Sequence, residues 1–447
     1  MLKRILIVLG LIVLVLAGLL FATFHNQRAR LDVAAGIGPT PKLDAIHTGI
    51  LPIPLINVAK AVGWKQGEMP TPAQGLRVQP FATGLDHPRW LLALPNGDVL
   101  VAEAQAPIYP NAHTSLDDKI EGMVMKRAGS GDKPSANRIV LLRDANGDGI
   151  AESRSVLLSG LTSPIGMALV GPTLYIGTAD AVVSVPFTPG QTTIAAKPTL
   201  VVRLPGGPIN YHWTKTLLAS PDGKLLYVGV GSNSNVGDHG MAAEKERAAI
   251  WEVDLANRSH RIYAYGMRNP VGMAWEPQTK ALWAVANERD GLGSDEVPDY
   301  LTQVQFGGFY GWPWYYWGGL PDSRPKDPDD DDLQQYVVRP DYGLGPHTAS
   351  LGLAFAEGAK LGGPFGQGAF IGQHGSWNRS PRSGYKVIFV PFRNGHPAGM
   401  PTDVLTGFLD ADGHARGRPV GVAIDRTGGL LVADDVGNAV WRVSAAR

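Results

Sequence analysis

Apolar and polar positions divide the chain into three parts. Residues 5–24 form an uncharged apolar run of twenty residues, which is the length that a helix needs to cross a bilayer. A stretch with many prolines and glycines and little periodicity follows, which is typical of a stalk or of a segment that wraps over a domain. Short apolar strands then alternate with polar turns to the end of the chain. We predict an N-terminal membrane anchor or signal segment at 1–25, a linker or stalk at 26–75 and a catalytic domain at 76–447.

A weak internal repeat decides the fold of the third part. Each unit has a turn of the type Gly-x-x-x-Pro, an apolar strand, a short polar turn and a second apolar strand. The turns PNGD, SPDGK and DRTGG are typical of β-hairpins, because Gly or Asn there supplies a positive φ. Six units begin at Gly84, Gly160, Asn210, Gly266, His347 and Gly417.

Six small antiparallel sheets predict an all-β fold, a six-bladed β-propeller behind an N-terminal transmembrane anchor helix. One such sheet cannot bury both of its faces alone, so copies stack radially around a central channel. The units start 50 to 81 residues apart, whereas a compact blade needs about 40–45. Long loops are therefore inserted, and propellers build their sites from such loops. A two-sheet sandwich is the alternative fold.

Composition excludes several classes of function. Forty basic and forty acidic residues leave no formal net charge, so no global field attracts nucleic acid. Cysteine is absent, which excludes disulfides, thiolate metal sites, iron–sulfur clusters and covalently attached haem. The 56 glycines and 35 prolines fit a β-rich fold with many tight turns.

The apolar run at residues 5–24 also bears on compartment. It exceeds the ~7–15 residues of a typical signal-peptide core and has no clear A-x-A cleavage site, so we favour an uncleaved anchor over a cleaved signal. Both alternatives export the rest of the chain. We expect a periplasmic or otherwise extracytoplasmic domain, anchored to the cytoplasmic membrane by this run.

Polar and charged groups recur where the predicted repeats meet the mouth of the channel. Several cations that point into one channel repel each other unless an anion lies among them, so we expect an acidic ligand there. The recurring groups are Arg89, His212, Lys215, Arg268, Asn269, His374, Arg379, Arg416, Arg418 and Asp434.

Four segments carry a resemblance to a known family. They are YGMRNPVGMAW from Tyr265, ANERDGLGSDEVPDYL from Ala286, GQHGSWNRSPRSGYKV from Gly372 and GRPVGVAIDRTGGLLVADDVGN from Gly417. With them, roughly residues 76–447 resemble the soluble aldose sugar and sorbosone dehydrogenases that use pyrroloquinoline quinone (PQQ). The last three segments are more similar to the sorbosone or pyranose branch than to the glucose enzymes. The resemblance implies oxidation of a sugar, an aldose or a sorbosone-like aldehyde, with PQQ and calcium as cofactors.

The resemblance also implies the catalytic residues. His212 matches the general base, and an imidazole is a suitable acceptor for the proton of a substrate hydroxyl. Arg268 matches the arginine that hydrogen-bonds the reactive quinone carbonyl and stabilises the charge that arrives with the hydride. Asn269 matches a neighbouring contact to the cofactor.

Further positions match contacts to the cofactor and the metal. By resemblance, the backbone carbonyls of Asp290 and Gly291 are the calcium ligands, with the Asp290 carboxylate as an added possibility. Arg416 and Arg418 match a pair that holds cofactor carboxylates, and Asp434 matches an acidic contact in the last blade. The glucose enzymes place a lysine where this chain reads SWNR, so Asn378 or Arg379 substitutes for it; we predict Arg379.

The reduced cofactor must pass its electrons to a separate acceptor, since the chain has no cysteine for a haem or an iron–sulfur cluster of its own. We expect a cytochrome or a membrane quinone. Two other functions remain open: a lactonase-like hydrolase with carboxylates around a metal, and a non-catalytic propeller that binds carbohydrate or protein.

One acidic loop fits two interpretations. DANGDGIAE, from Asp144, spaces its acidic and amide residues as a calcium loop does. Position twelve is Ser155 rather than the bidentate glutamate of that motif. The segment is either a hairpin turn, which we favour, or a second, structural calcium site.

Overall fold

The computed structural model describes residues 1–43, 46–51, 53–108, 116–130, 133–326 and 332–446. Within them lie two α-helices, Leu2–Asn26 and Leu116–Arg127. Three short 3₁₀ helices are Val33–Gly36, Met241–Glu244 and Leu333–Tyr336.

Six antiparallel sheets surround a central axis, so the prediction of a six-bladed β-propeller is confirmed. In each blade the innermost strand is given first. Blade 1 has Pro88–Ala93, Val99–Glu103, Arg138–Arg143 and Ser153–Ser159; blade 2 has Met167–Val170, Thr173–Gly177, Ala181–Pro186 and Thr199–Arg203; blade 3 has Lys215–Ala219, Leu225–Val230, Ala249–Asp254 and His260–Tyr265. Blade 4 has Pro270–Trp275, Leu282–Ala286, Pro298–Gln303 and Tyr342–Pro346; blade 5 has Ser350–Phe355, Gly368–Gln373, Lys386–Arg393 and Thr402–Thr406; blade 6 has Pro419–Ile424, Leu430–Asp434, Ala439–Ala445 and Leu76–Thr83. Shorter strands are Ile37–Gly38, Thr71–Pro72, Tyr315–Tyr316, Leu320–Pro321 and His396–Pro397.

Blade 6 closes the ring. Its outer strand, Leu76–Thr83, comes from the start of the domain and pairs antiparallel with Ala439–Ala445 from the end of the chain. Main-chain hydrogen bonds therefore join the two ends of the domain. The six sequence units cover the two inner strands of each blade, and this strand lies outside them.

Glycines in the innermost strands explain part of the repeat. A Cβ atom on Gly272 of blade 4 would lie 2.6 Å from the Leu351 carbonyl oxygen of blade 5. One on Gly352 of blade 5 would lie 2.2 Å from the Val420 carbonyl oxygen of blade 6. Only glycine lets neighbouring inner strands approach this closely at the narrow axis.

The described residues of the segment 26–75 lie along the propeller. Ile37–Gly38 pairs with the outer strand of blade 4, and Thr71–Pro72 pairs with the outer strand of blade 5. Between them, the Asn57 amide donates to the Trp377 carbonyl at 2.7 Å. The segment thus covers one rim of blades 4 and 5.

The N-terminal helix stands apart from the propeller core. Within Lys3–Asn26, an 18-residue window has a mean hydropathy of 3.2, and the apolar side chains of the helix are exposed. By length and composition it is a candidate membrane span or signal segment.

Candidate functional site

An axial cavity lies where the six innermost strands meet. Its empty volume is about 480 Å³. Residues from all six blades line it: Arg89, Trp90, Ile165, Tyr211, His212, Trp213, Thr214, Asn269, Val271, Leu351 and Val420. The site is therefore built by the ring as a whole.

A second, rim cavity of about 520 Å³ lies beside it. Tyr211 lines both cavities. The other lining residues are Gln27, Pro54, Leu55, Asn235, Asp290, Gly291, Gly293, Trp377 and Asn378. The segment after the N-terminal helix thus forms one wall of the rim cavity.

His212 lies in the loop that leads into the first strand of blade 3. Its Nδ1 is 3.0 Å from the Ser232 carbonyl oxygen, so Nδ1 carries a proton and donates it there. Nε2 is then the unprotonated nitrogen of the ring that lines the axial cavity. Burial, and next the charge of Arg268, hold the pKa of His212 well below its usual value. At neutral pH the imidazole is therefore neutral and able to accept a proton.

Arg268 is fully buried at the start of blade 4. Its Nη1 donates to the Glu288 carbonyl at 2.9 Å and its Nη2 to Asn235 Oδ1 at 3.0 Å. Nη2 also lies 3.4 Å from Asp290 Oδ2, an ion pair. These contacts hold the guanidinium beside His212 in one orientation.

Asp290 accepts hydrogen bonds from side chains of two further elements. Asn378 Nδ2 lies 2.7 Å and His347 Nδ1 lies 3.1 Å from its Oδ1. Burial raises the pKa of Asp290, but His347, Arg268 and Asn378 outweigh it and lower the pKa to about 2. Asp290 is therefore ionised and neutralises Arg268.

Asn235 is a site residue that sequence reasoning missed. Its Oδ1 accepts from Arg268 and from the Asp290 amide at 2.9 Å, and its Nδ2 donates to the Asp290 carbonyl at 2.9 Å. It fixes the Arg268 guanidinium against the Asp290 carboxylate. The run GSNSN after a repeat strand was the only signal for it.

The residues predicted as calcium ligands do not fit a divalent cation as they are arranged. The Asp290 carbonyl oxygen already accepts from Asn235 and from Arg324 Nη1, the latter at 2.5 Å. Asp322 fixes Arg324, with Nη2 2.7 Å from Oδ2. A Cβ atom on Gly291 would lie 2.5 Å from Arg324 Nη1. Arg324 and Arg268 thus place two positive charges around Asp290. These two charges repel a third cation, so no step of the reaction is assigned to calcium.

A planar, carboxylated quinone fits the axial cavity better. Trp90, Tyr211 and Trp213 give it aromatic walls, on which a planar ring system can stack. Arg89 Nε and Asn269 Oδ1 are buried and have no hydrogen-bond partner among the described residues. They supply one donor and one acceptor that a bound ligand would satisfy.

Asn378 rather than Arg379 faces the rim cavity. Asn378 lines it, and its buried Oδ1 has no hydrogen-bond partner within the described part of the chain. Arg379 instead donates to the carbonyls of Ser294 at 3.0 Å and Leu31 at 3.1 Å, and pairs with Asp295 at 3.3 Å. The structure therefore places Asn378, and not the predicted Arg379, at the rim cavity.

Arg416 and Arg418, which were predicted to act as a pair, lie in different surroundings. Arg416 is a third exposed, and its Nε lies 3.7 Å from Glu68 on the covering segment, which directs it away from both cavities. Arg418 is buried and donates to the carbonyls of His374 and Gly375, each at 3.0 Å. Of Arg268, Arg416 and Arg418, all expected at the channel mouth, the structure brings Arg268 beside His212 and holds the other two elsewhere.

The side chains of the adjacent residues Asp434 and Asp435 point in opposite directions. Asp434 Oδ2 accepts from Trp64 Nε1 at 2.7 Å and Trp441 Nε1 at 2.9 Å, within the hydrophobic core of blade 6. Asp435 Oδ2 instead lies 2.5 Å from Arg89 Nη1 and 2.8 Å from His374 Nε2. We therefore correct the acidic residue of the channel from Asp434 to Asp435.

The acidic loop from Asp144 is arranged as a turn. The Asp144 carboxylate accepts from the amides of Gly147 at 2.6 Å and Gly149 at 2.8 Å. Carboxylate oxygens of Asp144, Asp148 and Glu152 lie within 4.8 Å of one another, but the loop is largely exposed. Its own backbone amides occupy the carboxylate, as in an Asx turn.

Comparison with known proteins gives a consistent result. The family model described as TrAA12-like matches residues 133–300 and 320–446. A PQQ-dependent pyranose dehydrogenase of Coprinopsis cinerea is 25% identical over 361 residues, covering 71% of this chain and 44% of that protein. This chain therefore matches less than half the length of that relative.

Solved structures share the fold. The iodide structure of the Trichoderma reesei carbohydrate-active enzyme of family AA12 has a TM-score of 0.68 at 20% identity, covering 88% of this chain and 99% of that one. Its calcium structure has a TM-score of 0.67 at 20% identity and the same coverage. The holo PQQ domain of the Coprinopsis cinerea pyranose dehydrogenase has a TM-score of 0.65 at 22% identity, covering 87% of this chain and 100% of that one.

Proposed function

The chain belongs to the TrAA12-like family, and from this membership and the geometry of the axial cavity we propose that it oxidises a sugar with bound PQQ. The substrate class rests on the Coprinopsis cinerea relative, which is a PQQ-dependent pyranose dehydrogenase. A pyranose, another aldose or a sorbosone-like aldehyde therefore comes first among substrates to test. The domain would work outside the cytoplasm, anchored by residues 5–24.

The cofactor would lie in the axial cavity, next to the rim cavity that shares Tyr211 with it. When bound, the quinone supplies a two-electron oxidant for the sugar. Arg89 and Asn269 in the axial cavity and Asn378 in the rim cavity are the polar residues that would contact it. Arg89 would pair with a carboxylate through its unused Nε. Arg268, which is buried beside His212, would place positive charge near the negative charge that develops in the transition state.

His212 performs the proton transfer. The Ser232 carbonyl holds Nδ1–H, so Nε2 is fixed as the acceptor for the proton of a substrate hydroxyl. Burial, and next the nearby Arg268, lower the pKa of His212 and keep the ring neutral, which preserves the basic form below the usual pKa of histidine. This neutral, oriented imidazole in a cavity with an arginine and unused polar atoms is the observation that carries the proposal.

The alternative functions have less support. A lactonase-like hydrolase needs several carboxylates around a metal, whereas no carboxylate is among the residues that line the axial cavity. A non-catalytic binding propeller does not explain why a half-buried histidine that lines a cavity is held neutral, with Nδ1 fixed by a backbone carbonyl. Electrons would leave to a separate acceptor, a cytochrome or a membrane quinone.

Purified full-length protein tests the proposal. It is stripped of cofactor, incubated with PQQ and offered aldoses, a sorbosone-like aldehyde and polyols with an artificial electron acceptor. We expect PQQ-dependent dye reduction with at least one pyranose. A folded protein that binds no PQQ, or that binds it and oxidises none of these compounds, would disprove the function.

A further inference from the structure

The end of the apolar helix is joined directly to the candidate site. Gln27, the residue after the helix, lines the rim cavity together with Asp290 and Gly293. The Gln27 carbonyl accepts hydrogen bonds from Ser294 Oγ at 2.6 Å and from the Ser294 amide at 3.1 Å. The rim cavity therefore begins within one residue of the helix end.

The next residues strengthen this joint. The amides of Arg30 and Leu31 donate to Asp295 Oδ2 at 2.6 and 3.2 Å. Ser294 and Asp295 directly follow Gly293 of the cavity wall. Since buried charge-assisted hydrogen bonds fix geometry, the helix meets the propeller at a defined place rather than through a flexible stalk.

A collar segment, residues 46–51 and 53–56, folds around the last turn of the helix. The Leu51 amide donates to Thr23 Oγ1 at 3.1 Å, and Asn26 Nδ2 donates to the Thr48 carbonyl at 2.6 Å. The Gln27 side chain then bridges the collar: Nε2 donates to the Ile53 carbonyl at 2.9 Å. The collar, the helix end and the rim cavity are thus one packed unit.

The collar exposes isoleucines. Relative exposures are 42% for Ile46, 61% for Ile50, 38% for Ile53 and 41% for Ile56. Exposed apolar side chains grouped beside an apolar helix of membrane-spanning length are typical of a surface that lies in the bilayer interface. The apolar run at residues 5–24 of the helix spans roughly 30 Å at about 1.5 Å per residue, which matches a hydrocarbon core of roughly 30 Å.

We propose that the collar lies in the interfacial layer of the membrane, that the rim cavity opens onto this layer, and that a lipid-soluble quinone is the electron acceptor. The acceptor rests on the proposed function. In the overall reaction, the C1–H hydrogen and the hydroxyl hydrogen leave the aldose as two protons and two electrons, and the ring becomes a lactone. The acceptor quinone takes up both electrons and both protons and departs as a quinol.

The collar favours this acceptor over a soluble cytochrome. Electron-transfer proteins dock through complementary charged patches, whereas the collar presents isoleucines beside the cavity. A globular protein at this rim would also have to lie where the helix requires the bilayer to be. A quinone with an apolar tail reaches the same place by lateral diffusion.

The placement of the collar is testable without any assay of activity. The chain has no cysteine, so Ile53→Cys and, as a matched control, the exposed Met400→Cys each give one site for an environment-sensitive NBD label. In phospholipid vesicles we expect a blue-shifted emission at position 53 that shallow spin-labelled lipids quench, and water-like emission at position 400. Water-like emission at both positions would overturn the placement.

The acceptor is tested in vesicles that contain the full-length protein, PQQ, an aldose and either a long-chain benzoquinone or a water-soluble dye. Replacing Ile50, Ile53 and Ile56 together by Asp should lower quinone reduction about tenfold or more, because charge is expelled from the apolar layer. Dye reduction should stay within about twofold of wild type, and Met400→Asp should change neither rate.

The outcomes separate the two proposals. Dye reduction without quinone reduction in the wild type would refute the quinone acceptor alone. Equal quinone reduction by the wild type and the triple variant would refute entry through the collar. No dye reduction would refute the proposed function, and the acceptor with it, while the fluorescence result would still decide where the collar lies.

Discussion

Arg268 Nη2 lies 3.4 Å from Asp290 Oδ2. Arg268 precedes the innermost strand of blade 4, and Asp290 lies in the loop after the second strand of the same blade, so the ion pair joins these two loops. Both side chains lie beside His212. This ion pair joins the proposed general base to the wall of the rim cavity, and changes to it should affect stability and catalysis together.

Asp290 should stabilise the fold near neutral pH and lose this contribution in acid. Its pKa is lowered from 3.8 to about 2 in the folded chain, so it stabilises the fold above pH 3.8 and loses this contribution as pH falls through 2. The shift corresponds to about 2 kcal/mol. We expect Asp290→Asn to lower the free energy of unfolding by about that amount or more at pH 6, and by much less near pH 2. Urea unfolding in detergent measures this difference.

The exposed Asp412→Asn serves as the control for this series. It should change the free energy of unfolding by less than about 0.5 kcal/mol at either pH. A wild-type unfolding free energy in Asp290→Asn at pH 6 would show that the ion pair with Arg268 adds no stability.

His212 should be essential for turnover but not for the fold. His212→Ala removes the proton acceptor, and we expect kcat to fall by about 10²- to 10⁴-fold. PQQ binding, measured by quenching of tryptophan fluorescence, should remain within a few-fold of wild type. His396→Ala changes an exposed histidine on a distant hairpin and should keep full activity. Wild-type turnover in His212→Ala would remove this residue from the mechanism.

The pH profile should report the lowered pKa of His212. Burial and Arg268 favour the neutral ring, and the neutral ring is the active form. We expect kcat/KM to stay level as pH falls through 6.5 and to drop only well below it. Arg268→Gln should lower the rate of turnover and should also move this acid limb to higher pH, because Arg268 lowers the pKa of His212. An acid limb centred at or above pH 6.5 in the wild type would contradict the assignment.

Metal removal should have little effect. Arg324 and Arg268 already place positive charge at Asp290, so we expect the PQQ-loaded protein to keep its activity after dialysis against a chelator. Mass spectrometry of the purified chain should find less than one calcium per molecule. Arg324→Ala should allow calcium to bind beside Asp290, and mass spectrometry of the variant incubated with calcium should detect it. A loss of activity on chelation that calcium restores in the wild type would contradict this account.

The two aspartates at the end of blade 6 should behave differently. Asp434 holds two tryptophan indoles in the core, and burial raises its pKa to about 6 even though the hydrogen bonds from Trp441 and Trp64 lower it. We expect Asp434→Asn to lower thermal stability with little change in the affinity for PQQ. Asp435→Asn should weaken PQQ binding, because it removes the partner of Arg89 and His374. Calorimetry and fluorescence titration measure the two effects.

The architecture was largely predictable from the chain itself. Hairpin turns between apolar strands occur in several units, and the glycines at positions such as Gly272 and Gly352 repeat because the narrow axis demands them. The strand Leu76–Thr83 was not predictable, because it closes the ring from outside the repeat and its partner lies at the other end of the chain.

The site was less predictable than the fold. His212 and Arg268 lie next to repeat strands, so their place at the axis follows from the unit. Asn235 lies on an inserted loop, where no periodicity indicates direction. Asp434 and Asp435 are adjacent, and only the end of the strand decides which of them faces the channel.

Reduction of protein-bound PQQ by sugar in a single turnover tests the central claim most directly. The full-length protein is loaded with PQQ, mixed with an active pyranose without any acceptor, and followed by absorbance in a stopped-flow instrument. The account predicts complete reduction of the cofactor by the wild type and a rate at least about 10²-fold lower in His212→Ala. An unchanged spectrum in the wild type, or equal rates in both proteins, would contradict it.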